Sequence, residues 1–133
     1  MHAVLTNIAK GITVCYSEAF PDQNEDYFHL FYIGKLFIVA DSYCMNPDCK
    51  CQEVVLNFVQ TYPREDRKAD SFMIRFKLNG SGYRIHDRGK FTRREIKAIV
   101  MHFTADDMLL ELLNVRYKEM KEKAKEILSE VRT

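Results

Sequence analysis

The sequence predicts an α+β fold, an antiparallel β-sheet of five or six strands followed by two α-helices, the last one long and placed to project from the domain. Three observations predict it. Apolar and polar residues alternate with a period of two through most of residues 1–91. Glycine-bearing turns at Gly34-Lys35 and at Asn79-Gly80-Ser81-Gly82 join those runs as hairpins. From Thr92 the apolar spacing becomes helical and stays so to residue 133. At 133 residues the chain is the size of one domain with a real core, and no repeat, linker or composition change divides it.

The first strand region is Ile8 to Tyr16, where Ile12, Val14 and Tyr16 alternate with Thr13 and Cys15. Residues 19–26 then turn polar. Tyr27 to Tyr43 is a hairpin about Gly34-Lys35. Glycine at the first central position predicts a type II′ turn, with Ile33 opposite Leu36, Phe31 opposite Ile38 and His29 opposite Ala40. Both faces are apolar near this turn, so the hairpin is expected to be central and covered on each side. Further strands follow at 51–62, 71–78 and 83–87, with a charged connection at 63–68. As a simple meander, this order puts Cys15 toward the Gly34 turn, at the far end from Cys44.

Thr92-Arg93-Arg94-Glu95 is a capping box, and the helix it opens carries Ile96, Ile99, Val100 and Phe103 on one face. A second helix starts near Thr104-Ala105-Asp106-Asp107, with acids suited to its N-terminus. Its later part bears a narrow apolar seam: Leu113, Tyr117, Met120, Ala124, Ile127 and Val131. Such heptad-like spacing predicts pairing with a partner or a second copy of the chain.

Composition narrows the function. Hydrophobic residues are 47%, charged residues 29% and the net charge is +1, so no global field draws the molecule to nucleic acid or membrane. No apolar run reaches the roughly 20 residues of a membrane span, and the N-terminal residues do not read as a signal peptide. A cytoplasmic setting is the expectation, and there clustered thiols are more often metal ligands than disulfides.

Chemistry concentrates at Cys44-x4-Cys49-x-Cys51, where Asn46-Pro47-Asp48 turns the chain so that Cys44 faces the later pair. Thiolates in such a group suit Zn2+, which takes four ligands in structural sites. Cys15, His86 and His29 are the alternatives for the fourth. Free thiols and a Cys44–Cys49 disulfide are the alternatives to a metal. Asp41 is expected to cap this loop and orient its backbone.

The run Asp41-x-Tyr43-Cys44-x-x-Pro47-x-Cys49-x-Cys51-x-x-Val54-x-Leu56-x-Phe58 resembles a segment of poorly characterised bacterial proteins, some of which carry a C-terminal SEC-C metal-binding motif. The resemblance implies a bacterial protein and a metal site. The chain has no Cys-x-Cys…Cys-His motif after its helices, so nothing that motif does carries over.

Two other groups bear on function. Arg84, His86, Arg88, Lys90, Arg93, Arg94 and Lys97 form a basic segment, which on a functional reading holds phosphate or nucleic acid and otherwise is a solvated helix start. Asp41, Glu53, His86 and Asp87 would form a hydrolase-like cluster only if the fold brought them together. The sequence reads best as a zinc-binding, non-enzymatic interaction or adaptor domain of a bacterial cytosolic protein. A nucleic-acid or phosphate-binding module and a metal-dependent hydrolase are the alternatives.

Overall fold

The computed structural model describes residues 7–8, 12–21, 27–63 and 70–132. Within them a six-stranded antiparallel sheet is followed by two helices, as the periodicities predict. The strands are β1 (Thr13–Cys15), β2 (Phe28–Tyr32), β3 (Lys35–Cys44), β4 (Glu53–Tyr62), β5 (Asp70–Lys77) and β6 (Tyr83–Asp87). A short helix α1 (Tyr16–Ala19) follows β1, and α2 (Arg93–Phe103) and α3 (Asp107–Arg132) complete the chain.

The order is not a simple meander. On one side β3 pairs with β4, and β5 and β6 follow outward. On its other side β3 carries both short strands in succession, β2 along Lys35–Val39 and β1 along Ser42–Cys44. The first strand is shorter than its alternation suggests. Asn7 and Ile8 are helical, Tyr16 opens α1, and residues 9–11 lie outside the described residues. The expected turn at 19–26 falls largely outside them too, as do residues 64–69 of the charged connection. Because β1 lies beside the end of β3, Thr13 pairs with Cys44 and Cys15 with Ser42, the reverse of the placement a meander gives.

The hairpin turn also differs. Ile33 and Gly34 are its central residues, both left-handed, with φ of 43° and 72°. Both signs fit a type I′ turn, not II′. Phe31 therefore faces Leu36 and His29 faces Ile38, two residues from the predicted register, which keeps every side chain on its expected face. A β-branched residue in that region costs about 1–3 kcal/mol, and Ile33 is 79% exposed, so burial returns little of it.

Among the described residues, helices cover one face of the sheet. Leu30, Phe37, Val39, Tyr43, Leu56, Phe58, Phe72 and Ile74 point into the core there. Phe58 stacks on Phe72 at 4.6 Å and meets Phe103 of α2 edge-on at 5.2 Å. Among the described residues the hairpin is covered on one side, not both: β2 lies on the outer edge, with Phe31 exposed. The capping box forms as predicted. Thr92 Oγ1 accepts from the Glu95 N–H at 3.1 Å and Glu95 Oε1 accepts from the Thr92 N–H at 2.9 Å. Ile96, Ile99, Val100 and Phe103 are buried.

The seam of α3 is occupied within the chain. Leu113, Met120, Ala124 and Ile127 are buried and belong to the core, with Tyr117 packed against it. Val131 lies outside the described side chains. The helix is anchored along most of its length instead of projecting, because the same spacing that suits a coiled coil also suits packing on a sheet. Its exposed apolar residues are Met108, Leu112 and Val115.

Candidate metal centre

The loop between β3 and β4 is fixed at both ends. Met45 is fully buried and anchors the exit from β3. Asn46 then shapes the turn: its side-chain oxygen accepts from the Asp48 N–H at 3.0 Å and its carbonyl accepts from the Cys49 N–H at 3.1 Å. At the other end Gln52 adopts a left-handed φ of 45°. Its carbonyl accepts from the Leu78 N–H at 3.0 Å, and the Leu78 carbonyl in turn accepts from Asn114 Nδ2 of α3 at 2.9 Å.

This loop brings three sulfurs together. The Sγ atoms of Cys44, Cys49 and Cys51 all lie within 4.8 Å of one another. Tetrahedral zinc–thiolate bonds put sulfurs about 3.8 Å apart. Closure on an ion thus asks each pair to approach by about 1 Å or less, a small motion for a loop whose last cysteine is exposed. Burial is graded: Cys44 is buried, Cys49 half-buried and Cys51 exposed, so the group opens to the surface. All four cysteines of the chain are free thiols.

The group has the electrostatics of a thiolate site. The Cys51 thiol, and after it the Cys51 backbone N–H, hydrogen-bond to Cys49 and lower its pKa, with help from Cys44 and from the charge of Lys121. Although Cys51 is exposed as a residue, partial burial of its thiol raises its pKa, and the bond to Cys49 raises it further. Cys49 is therefore the first of that pair to become a thiolate, and a metal would replace the protons they share.

Helix α3 lies over the loop. Lys121 Nζ donates to the Asn46 carbonyl at 2.6 Å and sits 5.2 Å from the Tyr117 ring centre, one helical turn earlier. The Tyr117 phenol is pushed up by burial and then by the charges of Cys51, Cys49 and Cys44, while the Gln52 N–H acts in the opposite direction. Tyr117, Lys121, Met45 and Gln52 are the residues of this site that sequence reasoning missed. The spacing of Tyr117 and Lys121 marks a shared helix face, but nothing local says that this face meets a loop some seventy residues earlier.

The three alternatives for a fourth ligand lie outside the sulfur group. Cys15 is the nearest along the sheet, about two residues or 7 Å down the ladder from Cys44. Its sulfur is 3.2 Å from Ser17 Oγ. His29 pairs with Ile38, about 20 Å from Cys44 along β3. His86 is exposed on β6.

Asp41 does not cap the cysteine loop. It is 1% exposed on the helix-covered face, where Arg116 Nη1 reaches its two oxygens at 2.9 and 3.0 Å and the Tyr43 hydroxyl donates at 2.6 Å. The Arg116 guanidinium lies 4.2 Å from the Tyr16 ring centre and 4.6 Å from that of Phe28. This network ties β3, α1 and α3 together. Glu53 is on the other face of the sheet, paired with Arg84 at 3.3 Å, and His86 and Asp87 are exposed on β6, so the acids are not assembled into one site.

The basic segment is spread over two elements. Arg84 is on β6, while Arg88 and Lys90 lie in the following turn, Lys90 being 3.6 Å from Asp70. Arg93, Arg94 and Lys97 are exposed on the first turns of α2. Arg94 borders a groove of about 330 Å³ lined also by Tyr32, Ile33 and Ile99, well apart from the thiols. No helix among the described residues is long and apolar enough to cross a membrane. Compared with protein-family models, curated proteins and solved structures, the chain matches none.

Proposed function

We propose that this chain is a zinc-binding, non-enzymatic interaction domain in which Cys44, Cys49 and Cys51 hold the ion. The observation that carries this reading is the convergence of the three sulfurs within 4.8 Å on a loop pinned at both ends. Thiolates favour zinc over the harder divalent ions. Three thiolates and a dication sum to a charge of about −1, and the Lys121 ammonium beside the loop offsets it. The fourth position is left to water or to a donor from a protein partner. Asp41 is committed to Arg116 and Glu53 to Arg84, which favours a binding role over hydrolysis.

Bound zinc stabilises the loop and the end of the sheet it joins, because the loop closes on the ion only when folded. Titration of the metal-free chain with Co2+ tests the site. Thiolate-to-cobalt charge transfer and tetrahedral visible bands are expected, and Zn2+ should displace both. Cys44→Ser, Cys49→Ser or Cys51→Ser should each weaken binding at least about tenfold, whereas Cys15→Ser should not. Absence of thiolate bands, or bands that survive loss of all three cysteines, would overturn the assignment.

A further inference from the structure

We infer that the cysteine loop is also a site of thiol–disulfide exchange, where a small-molecule disulfide joins Cys49 to Cys51 and so abolishes metal binding. The exchange stands without the metal, whereas its effect on the ion rests on the zinc assignment. The three sulfurs lie within 4.8 Å of one another as free thiols. Cys49 is the sulfur that the others reach: the Cys51 thiol and backbone N–H hydrogen-bond to it, and so does the Cys44 thiol. Residues 49–52 belong to no strand or helix, and Lys50, Cys51 and Gln52 are exposed among the described residues. A dissolved reagent therefore meets the pair at the surface.

Geometry favours Cys51 over Cys44 as the partner of Cys49. Cys44 is buried at the end of β3, where Thr13 pairs with it and the fully buried Met45 follows. A disulfide spans about 4.4–6.8 Å between Cα atoms. Cα atoms with one residue between them are about 5–7 Å apart, because each step is about 3.8 Å. Residues 49 and 51 meet that span without moving the sheet. In the first step the Cys49 thiolate attacks one sulfur of R–S–S–R, forming a mixed disulfide on Cys49 and expelling RS⁻. The Cys51 thiolate then attacks the Cys49 sulfur, forming the Cys49–Cys51 bond and expelling the second RS⁻. Two protein thiols are oxidised, the reagent is reduced to two thiols, and the protein's protons pass to them. Cys44 alone remains as a thiolate donor, too few for zinc. The closed ring holds a single intervening residue, and a tight, exposed disulfide is of the labile kind that other thiols reduce, so the oxidised state is reversible.

Treatment of the metal-free full chain with oxidised glutathione tests this, read by intact mass, free-thiol count and peptide mapping. Free thiols should fall from four to two with no glutathione retained, and mapping should join Cys49 to Cys51. Cys51→Ser should stop at the mixed disulfide and keep glutathione on Cys49, whereas Cys44→Ser should still form the internal bond. The oxidised wild type should give no thiolate–cobalt bands until a reductant restores them. Glutathione retained on wild type, a disulfide to Cys44 or Cys15, no oxidation, or cobalt bands that persist after oxidation would overturn the inference. A reduced chain without cobalt bands would instead sink the zinc assignment, and the mapped disulfide would still decide the exchange.

Discussion

Cys49 and Cys51 differ in chemistry although one residue separates them. Hydrogen bonding lowers the pKa of the first, and burial raises that of the second. Alkylation of the metal-free chain near neutral pH should therefore label Cys49 before Cys51, with the buried Cys44 last. Peptide mapping over time reads the order, and bound zinc should protect all three while Cys15 stays reactive. Since the thiols must lose protons to bind, metal affinity should rise with pH across the thiol range and fall below it. The Asp41–Arg116 pair makes a different prediction. Arg116→Ala removes the charge partner of a buried carboxylate and leaves the Tyr43 hydroxyl donating to it, and should destabilise the fold by about 3–5 kcal/mol in urea unfolding. The acidic residue was visible in the sequence but its partner was not, because the two are brought together by a helix packing across the sheet 75 residues later.

At the scale of elements, local signals were the legible ones. The capping box of α2 can be read from four adjacent residues, and both of its hydrogen bonds form. Thr92→Ala should cost about 1 kcal/mol. The Glu95 pKa is lowered, first by its bond to the Thr92 N–H. A lowered carboxylate stabilises the fold above its ordinary pKa, and that contribution disappears as pH falls through the folded value. Glu95→Gln should thus flatten the acid side of the stability curve measured by thermal unfolding. Signals that depend on neighbours were read less well. Hairpin length was right, but Gly34 takes the second central position, because turn type depends on two residues and Ile33 is an unusual first one. The seam of α3 has a spacing equally suited to a partner helix or a sheet, and the sheet of its own chain takes it.

The whole molecule depends on the order of strands about β3. Five or six antiparallel strands and two helices, the last one long, could be read from periodicity, yet the placement of β1 beside the end of β3 could not, since a three-residue strand carries almost no periodic signal. That placement puts Cys15 near the cysteine loop without joining it. The loop itself was legible as three thiols in eight residues, whereas its cover by Tyr117 and Lys121 follows only from the packed helix. Among the described residues the chain is thus a sheet with helices on one face and three clustered thiols at one end. The most direct test is elemental mass spectrometry of the purified chain together with a free-thiol count. About one zinc per chain, with Cys44, Cys49 and Cys51 protected and Cys15 reactive, is the predicted result. No metal, with all four thiols equally reactive after exposure to Zn2+, would contradict it.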